Sequence, residues 1–228
     1  MASIELTWLG HAAWLLKTAR HTLLLDPFLD DSPTSPVKAA QLKPDFVLVS
    51  HGHFDHVADA ATIARDAEAT VVANYEICEW LGKQLVKHTQ PMNIGGAIEL
   101  PFGRVKQTIA HHSSTLPDGS SGGNPCGYLL TIDGLKIYFA CDTGLFYDMK
   151  LIGSGGLDLA VLPIGDRFTM GPDDALEAVK LLEPRRVVPS HYNTWPPIAQ
   201  DAAAWAERVR RETHAEPIVV PPGGTVML

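Results

Sequence analysis

The 228-residue chain is 46% hydrophobic and 19% charged, proportions that predict one globular domain over residues 1–228 rather than two small ones. A net charge of −8, with the ten His taken as neutral, makes the average surface repel phosphate backbones and acidic membranes, so nucleic-acid binding is disfavoured unless a local basic patch overrides it. No apolar run reaches the ~18 residues of a membrane span, and residues 1–10 lack a basic leader followed by an apolar stretch, so neither membrane insertion nor secretion is expected.

Cys78, Cys126 and Cys141 share no repeated spacing and form no CxxC pair, which favours a reducing cytoplasm. Along the chain, β-type runs at residues 4–9, 13–17, 22–25 and 46–49 precede any helix, so a sheet comes first. From Val57 the pattern alternates: a helix over 57–67, a strand over 70–73 and a second helix over 75–83. The second half repeats that order with strands at 104–110, 127–132, 135–140 and 159–163, then a helix over 172–182. That helix opens on Pro172, a residue suited to a first helical turn. Residues 187–189 read as a buried strand, 198–212 as a closing amphipathic helix with Trp205 on its apolar side, and 218–220 and 225–228 as end strands. Such alternation marks an α/β layered domain. Residues 113–125 (SSTLPDGSSGGNP) are too rich in Ser, Gly and Pro for helix or strand, and are expected to form a mobile loop that serves as a lid.

The strongest chemical signal is His51-Gly52-His53-Phe54-Asp55-His56, directly after the apolar run 46–50. A strand that ends in a tight turn projects several side chains into one cavity, and imidazole nitrogens and a carboxylate are zinc-type ligands. With this composition HxHxDH arises by chance on the order of once in a thousand sequences, and its apolar flanks hold it at a strand end rather than in a solvated loop. Four side chains do not complete a two-ion site, so further ligands must come from distant segments. His112, Asp142 and His191 qualify, because each sits just beyond a predicted strand end, where loops above a rigid sheet build sites.

Further segments join these residues: Trp8-Leu9-Gly10-His11-Ala12, Leu25-Asp26-Pro27-Phe28, His112-Ser113-Ser114, Asp142-Thr143-Gly144-Leu145, Pro163-Ile164-Gly165, Phe168-Thr169-Met170-Gly171-Pro172 and His191-Tyr192-Asn193-Thr194-Trp195-Pro196. With them nearly the whole chain resembles the metallo-β-lactamase superfamily, and within it the metal-dependent hydrolases related to ascorbate-6-phosphate lactonase. The resemblance implies an αββα sandwich of two mixed β-sheets flanked by helices, with a dinuclear site at one edge. It implies that one ion takes His51, His53 and His112, the other Asp55, His56 and His191, and that Asp142 bridges them. His112 rather than His111 is the expected ligand, being followed by Ser-Ser as in similar sequences, and strand neighbours point to opposite faces. His11 is expected close to the ions, either binding substrate or donating a proton or serving only as a hydrogen-bonded histidine, and Asp26 is expected either to orient the metal-binding loop or to start an ordinary turn before Pro27. Two positions depart from the pattern: Cys141 stands where similar sequences often carry Gly, and Asp166-Arg167 where small or neutral residues are common. Cys141 reads as a strand-end filler, whereas Arg167 either anchors an anionic substrate group or pairs with Asp166.

Two ions about 3.5–4 Å apart lower the pKa of a bridging water and polarise a scissile carbonyl or phosphoryl oxygen. The implied reaction is hydrolysis of a small ester, lactone or phosphoester by a bridging hydroxide, with Asp55 orienting it and no Ser or Cys nucleophile. Zinc fits the nitrogen-rich ligands first, with manganese, nickel or iron as other occupants. Tyr192, Asn193, Trp195 and Phe168 are candidate pocket walls. The alternatives are an iron-dependent oxidoreductase, against which His53 argues because diiron relatives resemble HxExDH, and a metal-dependent nuclease, which needs a basic channel. The expected partner is a small molecule, and a homo-oligomer is left open.

Overall fold

Successive side chains on a strand face opposite ways, and this rule divides the core of the computed structural model, which describes residues 4–228. Residues 1–3, where the expected leader-free start and single domain begin, lie outside the described residues. The first sheet holds β1 (Glu5–Trp8), β2 (Trp14–Lys17), β3 (Thr22–Leu25), β4 (Phe46–Leu48), β5 (Thr70–Asn74) and β6 (Thr89–Met92). The second holds β7 (Ala97–Leu100), β8 (Gly103–Ile109), β9 (Cys126–Ile132), β10 (Leu135–Phe139), β11 (Leu159–Pro163), β12 (Arg186–Ser190) and β13 (Glu216–Pro217). The C-terminal β14 (Thr225–Met227) returns to pair with β1. The spatial orders are β14-β1-β2-β3-β4-β5-β6 and β13-β12-β11-β10-β9-β8-β7. The helices are α1 (Phe54–Val57), α2 (Ala60–Ala67), α3 (Tyr75–Lys83), α4 (Met149–Gly153), α5 (Pro172–Leu182) and α6 (Ala202–Glu212).

Leu6, Trp8, Trp14, Leu16, Leu23, Leu25 and Leu48 turn one way from the first sheet, into a core shared with Tyr128, Leu130 and Phe139 of the second. Their strand neighbours Leu15, Leu24, Val47, Val71 and Ala73 turn the other way, onto Ile63 and Ala64 of α2 and Ile77 and Leu81 of α3. On the far side α5 and α6 bury Leu176, Val179, Trp205 and Val209. Helices therefore cover both outer faces, and the expected αββα sandwich is the observed fold.

Strand direction then gathers loops at one edge. β3 and β4 are parallel, and β1 runs parallel to β3 because each is antiparallel to β2. In the second sheet β10, β11 and β12 are parallel, and β8 runs with β10 because both are antiparallel to β9. The chain therefore leaves β1, β3 and β4 at one end of the first sheet, and leaves β8, β10, β11 and β12 at one end of the second. A hydrogen bond from Cys126 N–H to the Ser50 carbonyl, 3.1 Å, ties the two edges together.

Several elements differ from the sequence expectation. β6 is hidden by Pro91, which an edge strand tolerates because its outer side needs no donor. The short strand β7 and the helix α4 follow and precede glycine-rich turns that mask their periodicity. The helix expected over 57–67 breaks at Asp59, whose carboxylate instead accepts the Leu29 and Asp30 backbone N–H groups. The closing helix starts at Ala202 and not at Ile198, because Asp201 caps it through Ala204 N–H and Pro196–Ile198 forms a separate 3-10 turn. Residues 218–220 form no strand; pairing with β12 falls on Glu216–Pro217, and only Ile218 N–H continues it, to the Val187 carbonyl.

The loop 113–125 is pinned rather than loose. Thr115 and Ser121 form a bridge, Leu116 is buried in the helix-side core, and Asn74 Nδ2 donates to the Gly122 and Asn124 carbonyls. Among the described residues no helix is long and apolar enough to cross a membrane, and the three cysteines are free thiols.

Candidate metal centre

All seven predicted donors come together where the two strand edges meet. His51, His53, Asp55 and His56 follow β4, His112 follows β8, Asp142 follows β10 and His191 follows β12. Their nitrogen and oxygen atoms fall into overlapping groups, each with donors within 4.8 Å of one another: His51, His53 and His112; His11, Asp55, His56 and His191; and His51, His56 and Asp142. His11, Asp26, Cys141 and His191 all adopt positive φ, between 44° and 55°, a costly conformation for residues with a Cβ that tends to be held at functional sites.

Hydrogen bonds fix which ring atom His51 and His56 present. Asp26, fully buried just after β3, accepts from Ser50 N–H at 2.7 Å and from Ser50 Oγ at 2.6 Å. With that hydroxyl proton committed, Ser50 Oγ accepts from His51 Nδ1 at 2.9 Å, which leaves the Nε2 lone pair of His51 facing inward. His51 Nε2 lies 3.0 Å and His112 Nε2 3.2 Å from His53 Nδ1, and the outer nitrogen of His53 meets Ser113 Oγ at 3.3 Å. Burial is the main reason that all three imidazoles titrate below the ordinary range, so each keeps a lone pair at neutral pH. His111 points away; it is exposed, and its ring packs on Phe146.

The second group is organised by Asp26 and His11. Asp26 Oδ2 accepts from His56 Nδ1 at 2.9 Å, which aims Nε2 into the site. Asp55 Oδ2 lies 3.0 Å from His11 Nε2, and His11 Nδ1 lies 2.7 Å from Thr194 Oγ1. Burial favours the neutral Asp55 acid, yet the His11 hydrogen bond and His56 hold its carboxyl well below the usual range. Burial, then the His191 charge, pushes His11 down to about 3. Asp55 is thus an anion that only accepts, and neutral His11 donates through Nε2–H and accepts the Thr194 hydroxyl proton at Nδ1. His11 is fully buried and lies close to Asp55, His56 and His191, where its hydrogen bond holds Asp55.

Asp142 joins the groups. Its Oδ2 lies 3.1 Å from His191 Nε2, 3.3 Å from His56 Nε2 and 3.6 Å from His112 Nε2. Burial favours its neutral form, but His191 and His56 keep the carboxyl well below its ordinary value. Burial likewise opposes charge on His56, and the Asp142 and Asp26 carboxylates overcome it, raising that imidazole well above its ordinary value. Even so His56 Nε2, Asp142 Oδ1 and both ring nitrogens of His191 are buried with no aligned hydrogen-bond partner among the described residues. Such atoms are costly unless a ligand meets them, and inward-facing imidazole and carboxylate donors of this kind suit divalent cations. The residues present therefore fit a metal.

A cavity of about 500 Å³ opens above these donors. Of the predicted walls, Trp195 and Phe168 line it and Tyr192 and Asn193 do not; Tyr192 is buried and stacks on Trp8 at 5.1 Å. Only Ser113 of the expected lid reaches it. Asp166 and Arg167 form no side-chain ion pair among the described residues: Asp166 Oδ1 accepts Arg167 N–H, and the guanidinium sits over the Phe168 ring. Cys141 donates to the Phe139 carbonyl at 3.7 Å, consistent with a strand-end filler. Sequence reasoning missed Ser50, Thr194 and Phe54. Phe54 carried a signal, an aromatic residue between two polar ones in HGHFDH; Ser50 and Thr194 carried none.

Gly165, after β11, supports His191. A Cβ at this position lies 2.2 Å from the His191 carbonyl oxygen. Gly165→Ala is expected to lose roughly 1–3 kcal/mol of stability and to lower metal content, as read by thermal unfolding and metal analysis. An unchanged Tm with full metal content means that the His191 turn moves aside freely, contrary to this account.

Fold and site together define a metal-dependent hydrolase of the β-lactamase superfamily, and residues 21–192 match the Beta-lactamase superfamily domain. The structure of Igni18, a metallo hydrolase from the hyperthermophilic archaeon Ignicoccus hospitalis, matches with a TM-score of 0.91 at 35% identity, covering 99% of this chain and 98% of that one. The chain is 45% identical to a UPF0173 metal-dependent hydrolase of Heliobacterium modesticaldum over 99% of this chain and 98% of the relative. It is 47% identical to another from Desulforamulus reducens over 96% and 98%. The chain belongs to the UPF0173 metal-dependent hydrolases of the β-lactamase superfamily.

Proposed function

We propose that this chain, acting as one domain over residues 1–228, hydrolyses a small ester, lactone or phosphoester with two divalent ions. His51, His53 and His112 hold one ion, Asp55, His56 and His191 the other, and Asp142 is shared. The observation that carries this reading is a buried cluster drawn from both sheets, in which Asp142 Oδ2 lies 3.1 Å from His191 Nε2 and 3.3 Å from His56 Nε2, while Asp142 Oδ1, His56 Nε2 and both ring nitrogens of His191 have no aligned hydrogen-bond partner among the described residues. When bound, two such ions supply Lewis acidity and lower the pKa of a water they share, which is the chemistry of hydrolysis at neutral pH. Asp55, held as an anion by the His11 hydrogen bond and by His56, orients the attacking water through its carboxylate, and the proton of that water passes to the leaving oxygen or to solvent. His11 holds that carboxylate still, and Thr194 holds His11 in the tautomer that donates to it. His51 and His56 are aimed by Ser50 and Asp26, so little reorientation is required when the site loads. Zinc suits the five imidazoles best, with manganese, nickel or iron as other occupants. A cytoplasmic, small-molecule enzyme is the setting that free thiols and an acidic surface support.

Metal analysis of the purified protein, followed by chelation, reloading and assay on lactone, phosphodiester and thioester panels, tests this reading. The expected result is two ions per chain and hydrolysis that disappears on chelation and returns with metal. Iron accompanied by redox turnover selects the oxidoreductase instead, and salt-sensitive RNA binding with RNA cleavage selects the nuclease.

A further inference from the structure

We propose that the substrate is an ester or lactone whose acyl portion is uncharged and apolar, seated against an aromatic wall formed by Phe54, Phe168 and Trp195. This rests on the hydrolase reading above and narrows it. The polar side chains of the cavity lie among the candidate metal donors and Ser113, whereas the remaining lining consists of Phe54, Phe168, Trp195, Pro197 and Ile198. Among the described residues that line the cavity there is no Lys or Arg.

Three features make this wall a binding surface rather than ordinary packing. Phe54 and Phe168 both line this cavity and are each 57% exposed, which is costly for large apolar side chains unless a ligand covers them. The wall is also built from both halves of the fold: Phe54 comes from α1 beside the first sheet, and Phe168 and Trp195 come from loops after β11 and β12. It is braced from beneath, with Phe28 meeting Phe54 edge-on at 5.8 Å and Trp195 at 5.9 Å, and with Trp195 and Phe54 6.2 Å apart. The braced rings of Phe54 and Trp195 offer apolar area at little cost in ordering.

The same wall disfavours charged substrates. A phosphate or carboxylate on the acyl chain needs a cation to replace its water. The one cation close in sequence, Arg167, lies 5.3 Å from the centroid of the Phe168 ring and does not line the cavity. A phosphorylated lactone, the substrate type that the sequence resemblance to ascorbate-6-phosphate lactonase suggests, therefore finds no Lys or Arg on the wall to pair with its phosphate. In the proposed reaction the oxygen of water bonds to the acyl carbon, the carbon–oxygen bond to the alcohol breaks, and the proton from water passes to the leaving oxygen or to solvent.

The test uses the metal-loaded protein and p-nitrophenyl esters with a common leaving group: acetate, hexanoate, and chain-matched acyl groups ending in carboxylate or trimethylammonium. After correction for uncatalysed reactivity, kcat/KM for hexanoate is expected to exceed that for acetate and for either charged chain by about tenfold or more. Phe168→Ala, at an exposed position, is expected to lower the hexanoate-to-acetate ratio about fivefold, and Phe168→Leu to restore part of it. Preference for either charged chain, or an unchanged ratio in Phe168→Ala, overturns the proposal. Cleavage of none of the esters removes the hydrolase reading for this substrate class, and calorimetry on the metal-free protein then decides the wall separately. There the neutral p-nitrophenyl hexyl ether is expected to bind at least about tenfold more tightly than its ω-carboxylate counterpart, and more weakly to Phe168→Ala. No binding of the neutral ether, or equal binding of the two, overturns the aromatic wall without reference to catalysis.

Discussion

If the site holds the proposed pair of ions, Asp142→Asn is expected to cut bound metal to one or none and to lower kcat/KM by about 10²–10³-fold. Asp142 Oδ2 lies within 3.6 Å of His112 from the first donor group and of His56 and His191 from the second. An amide keeps the shape, but it loses the charge and turns a hydrogen-bond donor toward nitrogens that need an anion or a cation between them. A second consequence is visible without metal. The ion pair of Asp142 with His56 exists only while the carboxyl is ionised and the imidazole protonated. Because the His56 pKa is raised, its contribution to stability is complete below the unfolded value near 6.5 and is lost as pH rises through the folded value. The depressed Asp142 pKa sets the acid limit in the opposite sense, with stability lost as pH falls through it. The destabilisation of metal-free protein by Asp142→Asn is therefore expected to shrink as pH rises from mildly acidic to alkaline. Denaturant unfolding of both metal-free proteins across that range measures it, with His111→Ala as the control expected to keep its metal. Two ions retained at full activity in Asp142→Asn would remove the shared carboxylate from the site.

Asp26→Asn is expected to be the most destabilising change near the centre that touches no proposed ligand atom. Asp26 is fully buried and accepts three hydrogen bonds, from Ser50 N–H, Ser50 Oγ and His56 Nδ1. Replacing Oδ2 with an amide nitrogen sets a donor against two donors, which in a buried charged network costs about 3–5 kcal/mol. Metal affinity should fall about 10–100-fold, because His56 and His51 both lose the contacts that fix their tautomers. Ser50→Ala is the graded companion. It leaves His56 held and frees only His51, so it should cost about 1–2 kcal/mol and affect the His51, His53 and His112 group more than the other. Thermal unfolding of metal-free protein and metal competition titrations separate the two variants. Equal effects of Asp26→Asn and Ser50→Ala on both groups would contradict this division of labour.

The donor set was legible because it is written in local signals. HxHxDH places four donors after one apolar run, and His112, Asp142 and His191 each follow a run of strand character. Once those runs form strands of matching direction, their ends share an edge, so the sequence carried the convergence as well. β6 was not legible because Pro91 contradicts strand propensity and only its place at the sheet edge makes it tolerable. The loop 113–125 looked mobile by composition, yet Leu116, Asn74 and the Thr115–Ser121 bridge anchor it, and none of these contacts has a local signature.

By itself the sequence determined which residues are able to hold a cation and that they stand at strand ends, since side-chain chemistry and strand periodicity are both properties of short stretches. The tertiary structure decided which nitrogens of His51 and His56 face inward, that His11 braces Asp55 from behind, and that the cavity lining beside the donors is apolar, with no Lys or Arg among the described residues. Those outcomes depend on partners such as Asp26 with Ser50, 24 residues apart, and His11 with Thr194, 183 residues apart. A hydrogen bond forms wherever folding brings donor and acceptor to about 3 Å, and nothing in the neighbouring residues records that approach.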